Sequence, residues 1–237
     1  MPIAFPAVSL PVACSSGWTG NHPRRRRPAA RRCRPQQEAP SPLRLVRNIR
    51  DLQKWRRRGW SDHAPQFVKE AIFRKYAIDG ATWVETGTFK GTTTRFLSGL
   101  AGKVHTIEPA LKHFKRAERR FRNSNVEVIN GTSEEVFPDL LPGLEGDICF
   151  WLDGHYSAGT TFKGDTDCPV EAELAAIDAS LGHFGRVSIL IDDVRCFLSE
   201  AEDYRDYPSI DYLVDWARAR GMTWRIEQDI FVIRNWT

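Results

Sequence analysis

No stretch of this 237-residue chain approaches the roughly 18 consecutive apolar residues that span a bilayer, so no transmembrane helix is expected and the chain reads as soluble and cytoplasmic. Acids are missing altogether from Met1 to Gln37, a segment broken by proline that carries Arg24 to Arg27, Arg31, Arg32 and Arg34. No basic residue precedes its one apolar stretch, before Cys14, which argues against a secretory signal or a lipoprotein anchor. The five cysteines, Cys14, Cys33, Cys149, Cys168 and Cys196, form no C-x-x-C pair and no zinc-like spacing with histidine. That leaves no disulfide framework and makes a reducing cytoplasm the simplest setting. The G-x-G-x-x-G dinucleotide fingerprint and the Gly-Lys-Ser/Thr end of a phosphate-cradling loop are absent too, which disfavours a nicotinamide oxidoreductase and a P-loop nucleotidase.

The charge that is present is unevenly placed. Through Trp60, fourteen Lys and Arg face two acids, Glu38 and Asp51, a balance of +12, whereas the whole chain carries +4 and the remainder therefore about −8. The organisation this suggests is a disordered basic tail over residues 1–42, a helical cap over 43–78, and one α/β domain over 79–237. An Arg-rich start also fits a transit peptide or a nucleic-acid tether, but no aromatic interleaving accompanies it. The acidic remainder argues against a domain that grips a phosphate backbone by itself. No residue pattern bears on the oligomeric state.

Hydrophobic periodicity supplies the fold. LRLVRNIRDLQKWRRRGW and PQFVKEAIFRKYAI repeat at three-to-four spacing and predict helices. From ATWVET onward short apolar runs alternate with amphipathic ones: KVHTIE, VEVIN, DICFWLD and RVSILID as strands, with helices between them. That rhythm predicts a parallel sheet covered on both faces. The end breaks it, because MTWRIEQ and DIFVIRN are separated by almost nothing; only a hairpin connects them, and the last strand must run antiparallel. The expectation is a Rossmann-like, mostly parallel seven-stranded sheet with a final antiparallel strand.

Several residues that carry chemistry stand at the carboxyl ends of the predicted strands, where open α/β sheets bind ligands. The first strand leads into Glu85-Thr86-Gly87-Thr88-Phe89-Lys90-Gly91, then Thr92 and Thr93 open a helix. Glycines there permit a sharp turn and close ligand approach. Glu108 ends the second strand about twenty residues after the glycines, where an acid accepts from both hydroxyls of a ribose. The third strand runs into Asn130-Gly131-Thr132-Ser133; Ser133 either caps the next helix or meets an adenine. Asp153 ends the fourth strand, with His155 close behind, and Asp192 and Asp193 end the fifth. Three converging carboxylates repel unless compensated, and hard oxygen ligands suit Mg²⁺. Equally, one of them caps a helix or pairs with Arg195 or Lys163.

Taken in order, ETGTFKGTT, HTIEP, NGTSEEVFPDL, DICFWLDGH and ILIDDV resemble catechol O-methyltransferase and its small-molecule O-methyltransferase relatives, over roughly Trp83 to Arg195. The resemblance implies a class I methyltransferase fold and S-adenosylmethionine as cofactor. It places the methionine end of that cofactor against Glu85, Gly87, Thr88, Gly91 and Thr93, the ribose on Glu108, the adenine at Thr132 and Ser133, and Asp153 beside the reacting centre. It also implies magnesium held by Asp153, Asp192 and Asp193. Two positions depart from that pattern: Tyr156 stands where a catechol-type enzyme has its lysine base, and Asp193 where the last metal ligand is usually asparagine. His155 is then the candidate base, with Lys163 in reserve. The Gly-rich segment between Tyr156 and Val170 is expected to cover the substrate. The activity this implies is metal-assisted methylation of a hydroxyl on a sugar, polyol or phenol. A nucleic-acid methyltransferase using the Arg-rich tail and a non-catalytic member of the fold are the alternatives.

Overall fold

A computed structural model of the protein describes residues 41–61, 63–154, 168–199 and 201–237. Two helices come first, α1 (Pro42–Arg57) and α2 (Gln66–Tyr76). Ser41 starts α1 by accepting a hydrogen bond from the Arg44 amide, with Pro42 at the first helical position, where its missing N–H costs nothing. Beyond them β1 (Thr82–Thr86), α3 (Thr92–Leu97), β2 (Lys103–Glu108), α4 (Leu111–Phe121), β3 (Val126–Asn130), α5 (Ser133–Leu140) and β4 (Gly146–Leu152) alternate. The chain continues with α6 (Val170–Ser180), β5 (Phe184–Ile191), a one-turn α7 (Val194–Phe197), α8 (Ile210–Ala219), β6 (Thr223–Glu227) and β7 (Ile230–Arg234).

The seven strands form one sheet in the order β3-β2-β1-β4-β5-β7-β6. β1, β2, β3, β4 and β5 pair in parallel, and β7 lies antiparallel between β5 and β6. The closing hairpin turns on Gln228 and Asp229, with Gln228 in the left-handed region at φ 55°. This is the Rossmann-like, mostly parallel seven-stranded sheet with a final antiparallel strand that the sequence pattern predicts.

Helices cover both faces because each central strand is apolar on both sides, as buried parallel strands must be. On one side Val84, Ile107, Phe150, Ile189 and Phe231 pack with Phe137, Leu174, Ile177 and Trp216 from α5, α6 and α8. On the other, Trp83, Val104, Trp151 and Val232 pack with Leu97 of α3 and with Ile72, Phe73 and Tyr76 of α2. The Phe73 ring meets Trp151 edge-on at 4.6 Å between centroids. The two N-terminal helices therefore differ: α2 is a wall of the core, while α1 buries only Trp55 and is tied to α2 by an Arg44–Glu70 ion pair at 2.6 Å.

Among the described residues, no helix is long and apolar enough to cross a membrane.

Candidate active site

The carboxyl ends of β1, β2, β3, β4 and β5 open on one edge of the sheet, and every described residue singled out by sequence lies there. At the end of β1, Glu85 is fully buried, and its Oε2 accepts from the hydroxyls of Thr94 at 2.5 Å and Thr106 at 2.6 Å. Its Oε1 has no hydrogen-bond partner among the described residues. Burial pushes this carboxyl up to about 7 against the pull of the two hydroxyls. Gly87 follows with φ 84°, and a Cβ there would lie 2.4 Å from the Asp153 carbonyl oxygen, so only glycine lets the β1 and β4 loops approach this closely. Thr88 turns its hydroxyl inward to Thr106 at 2.6 Å, away from the crevice. Phe89 takes φ 48°, uncommon for a bulky side chain, and strain of this kind gathers at binding sites. Gly91, at φ 67°, packs under the Phe121 ring before α3, and Thr93 accepts from the Gln66 amide of α2 at 3.4 Å.

Glu108 is almost fully buried and is aimed by two backbone donors. Its Oε2 accepts from the Phe89 amide at 2.6 Å and its Oε1 from the Ala110 amide at 2.9 Å. Each oxygen keeps a second lone pair. Asn130 ties β3 to this corner by donating to the Glu108 carbonyl at 2.8 Å. The helix cap beside it belongs to Thr132 rather than Ser133. Thr132 accepts from the Glu135 amide while the Glu135 side chain accepts from the Thr132 amide, a complete capping box. Ser133, the first helical residue, is thereby left to donate to Glu134 at 3.2 Å.

At the end of β4 the Asp153 amide donates to the Thr86 hydroxyl at 3.1 Å. Burial, and then the neighbouring Asp192, hold the Asp153 carboxyl well above the usual range, with Lys69 pulling the other way. Glu173 of α6 is buried behind this corner at 1% exposure, and burial pushes it up to about 7 against the pull of the nearby Ser133 and Thr86 hydroxyls.

Two of the three carboxylates expected to share a metal, Asp192 and Asp193 at the end of β5, are already answered by cations. The Lys69 ammonium pairs with Asp192 Oδ2, while Asp192 Oδ1 is buried with no hydrogen-bond partner among the described residues. Burial works against the charged form of Lys69, but Asp192, Asp153 and Asp193 outweigh it and raise its pKa. Burial likewise favours a neutral Asp193, but His63, Arg195 and Lys69 together keep it well below the usual carboxylate range. Arg195 donates to Asp193 at 2.9 Å and also pairs with Asp229 from the β6–β7 turn. Asp229 additionally accepts the Arg195 amide at 3.0 Å, and its carbonyl accepts the Val194 amide at 3.0 Å. The terminal hairpin thus clamps the β5 exit, where Asp193 takes φ 58°. Among the described residues no group of three or more His, Cys, Asp or Glu side chains is arranged to hold a metal ion.

The structure thus brings together Glu85, Gly87, Gly91, Thr93, Glu108, Thr132, Ser133, Asp153, Asp192 and Asp193. His155 and Lys163, and the segment expected to cover the substrate, lie outside the described residues. The sequence reading missed Lys69 and Glu173. Both had a legible signal, since each is a charged residue at an apolar-face position of its helix. Lys69 shares a stripe with Ile72, Phe73 and Tyr76, and Glu173 with Val170, Leu174 and Ile177.

No protein-family model matches the chain, and no curated protein matches it. Solved structures do. An rRNA methylase from Streptococcus thermophilus is 18% identical over 73% of this chain and 96% of its own, with a TM-score of 0.44. A SAM-dependent methyltransferase from Aquifex aeolicus is 15% identical over 70% and 87%, with a TM-score of 0.45. The N-methyltransferase NodS from Bradyrhizobium japonicum WM9, in complex with S-adenosyl-L-homocysteine, is 13% identical over 80% and 95%, with a TM-score of 0.48. The fold stands on the chain's own strand order and gains nothing from these scores.

Proposed function

We propose that the chain is an S-adenosylmethionine-dependent methyltransferase acting on a hydroxyl of a small molecule. The observation that supports this most is the convergence at one sheet edge of a glycine turn no larger residue could make, a doubly oriented Glu108, and the Asp153 carboxyl. The residues fit the cofactor. Gly87 leaves the loop without a side chain at the closest approach of β1 and β4. Glu108 retains lone pairs for two ribose hydroxyls, and Thr132 and Ser133 stand where an adenine is expected. When bound, S-adenosylmethionine supplies an electrophilic methyl group on a sulfonium.

This chain's own residues then have two tasks. Glu108 and the β1 loop fix the position of the methyl donor, and in-line geometry rather than covalent catalysis governs such a transfer. Asp153, whose pKa is raised by burial and by Asp192, takes the proton that the acceptor hydroxyl gives up. The acidic cluster does not fit a divalent ion, because Lys69 and Arg195 already occupy its charge. The magnesium expected from the resemblance is therefore set aside.

A hollow of about 240 Å³ lined by Asp51, Lys54, Trp55, Arg58, His63 and Pro65 offers room on the scale of a small acceptor. His63 connects it to the β5 exit, since its Nδ1 lies 2.9 Å from Arg195 and 3.5 Å from Asp193. The acidic balance beyond Trp60 weighs against a phosphate backbone as substrate. Among the described residues Cys149 and Cys196 are buried free thiols, which suits a cytoplasmic protein.

The test is transfer of labelled methyl from S-adenosylmethionine to a panel of sugars, polyols, phenols and RNA, by wild type and by Asp153→Asn. Transfer to a hydroxyl acceptor that the variant loses by at least about a hundredfold supports the reading. Transfer to RNA alone would replace it with the nucleic-acid alternative, and cofactor binding without any transfer would leave a binding module.

A further inference from the structure

The acidic cluster at the ends of β4 and β5 poses a charge problem, since Asp192 is 1% exposed and Asp193 is 7% exposed. Buried carboxylates side by side require compensation. In many proteins a divalent cation supplies it, held by oxygen ligands from several loops. Here the compensation comes from the chain. The Lys69 side chain is 12% exposed, pairs with Asp192 Oδ2, and lies over the Trp151 ring at 5.4 Å. Its backbone is fixed by the core packing of Ile72, Phe73 and Tyr76 on the same helix stripe. Arg195 answers Asp193 and Asp229 in the same way, held from behind by the hairpin turn.

We propose that Lys69 is a built-in cation that takes the place of a divalent metal at this site, so that the protein organises its acidic cluster, and acts, without one. The Lys69 ammonium neutralises Asp192 from a rigid helix, at a carboxylate oxygen that a metal held by Asp192 would need. Lys69 is thus a positioning residue. It aligns Asp192 and, through the field of that pair, Asp153, and its replacement by an uncharged side chain opens a cation site. Asp192 Oδ1, buried and without a hydrogen-bond partner among the described residues, is the oxygen such a cation would claim first. The inference concerns the same crevice as the proposed methyl transfer but does not depend on it, since cation binding is read without turnover.

Trp151 beneath Lys69 provides the probe, because an indole sensitises the luminescence of a nearby Tb³⁺. Full-length wild type, Lys69→Met, Lys69→Arg and the Lys69→Met/Asp192→Asn double variant are titrated with Tb³⁺, then with Mg²⁺ as competitor. Wild type and Lys69→Arg should show no saturable emission that Mg²⁺ displaces. Lys69→Met should acquire it, with half-saturation at least about tenfold below that of the double variant. Mg²⁺ should also raise the melting temperature of Lys69→Met and leave that of wild type unchanged. Saturable, Mg²⁺-displaceable binding by wild type overturns the proposal. So does a folded Lys69→Met, verified by cooperative melting, that binds no cation. Should Lys69→Met fail to fold, the wild-type and Lys69→Arg titrations still decide, since a response from either refutes the built-in cation. Cofactor binding measured on the same wild-type sample separates this outcome from failure of the methyltransferase reading.

Discussion

Replacing Glu173 with glutamine should make the protein more stable near neutral pH, although it removes an ionisable group. The reason lies in burial. Glu173 is 1% exposed, and its carboxyl is displaced from 4.5 to about 7 chiefly by the loss of solvent, against the pull of Ser133 and Thr86. A group whose folded-state pKa lies above its unfolded value keeps its proton in the folded state while the unfolded chain has released it. Stability therefore falls as pH rises from the unfolded value to the folded one, and the loss is complete above the latter. At about 1.4 kcal/mol per unit, this displacement corresponds to ~3 kcal/mol. A glutamine keeps the shape and offers an N–H where the protonated acid offers an O–H, but it does not titrate. Urea unfolding of wild type and Glu173→Gln from about pH 4.5 to about pH 8 should give curves that coincide at the acidic end and diverge by ~3 kcal/mol at the other, with the variant above. A constant gap, or a variant less stable than wild type at the upper end, would refute the assignment of a buried protonated acid at this corner.

Three further substitutions test other parts of the account. Gly87→Ala places a Cβ against the Asp153 carbonyl at a positive φ; roughly 1–3 kcal/mol of stability should be lost to backbone strain alone, read as a lower urea midpoint, and cofactor binding should go with it. Thr132→Ala removes half of the capping box of α5 and should cost about 1 kcal/mol in the same unfolding assay. Asp229→Ala releases the Arg195 amide from the hairpin clamp, so hydrogen exchange at Arg195 should accelerate while the α2 amides of Ile72 and Phe73 keep their protection.

The fold was legible because its signal is repeated. Seven apolar runs, the amphipathic stretches between them and the abrupt closing hairpin each point to the same architecture, and β2 and β3 fall on the residues the pattern picks out. The loop residues at the strand ends were legible for a related reason, since topology alone brings the carboxyl ends of parallel strands to one edge. Charge partnership was harder to see. Asp192 meets Lys69 across 123 positions of chain, and nothing local in ILIDDV reveals that a lysine rather than a metal answers it. The hint lay elsewhere, in a lysine and a glutamate interrupting the apolar stripes of α2 and α6, where a buried charge must have a partner or lose its charge. Lys69 found the partner, and burial pushes the Glu173 carboxyl up to about 7. The cap at α5 went to Thr132 instead of Ser133 because the capping box needs its acid three residues on, and that spacing joins Thr132 to Glu135. The reading of Arg195 as a partner for the acids was correct on one side, with Asp193, and missed Asp229, which only the hairpin turn delivers.

The central claim, that this crevice binds S-adenosylmethionine through Glu108, is most directly tested by calorimetric titration of wild type and Glu108→Ala with S-adenosylmethionine, S-adenosylhomocysteine and NAD. The account predicts micromolar binding of the first two by wild type, weakened at least about tenfold in the variant by the loss of two charge-assisted hydrogen bonds, with NAD silent. Absence of heat with either adenosyl ligand, or binding that Glu108→Ala leaves untouched, would contradict it.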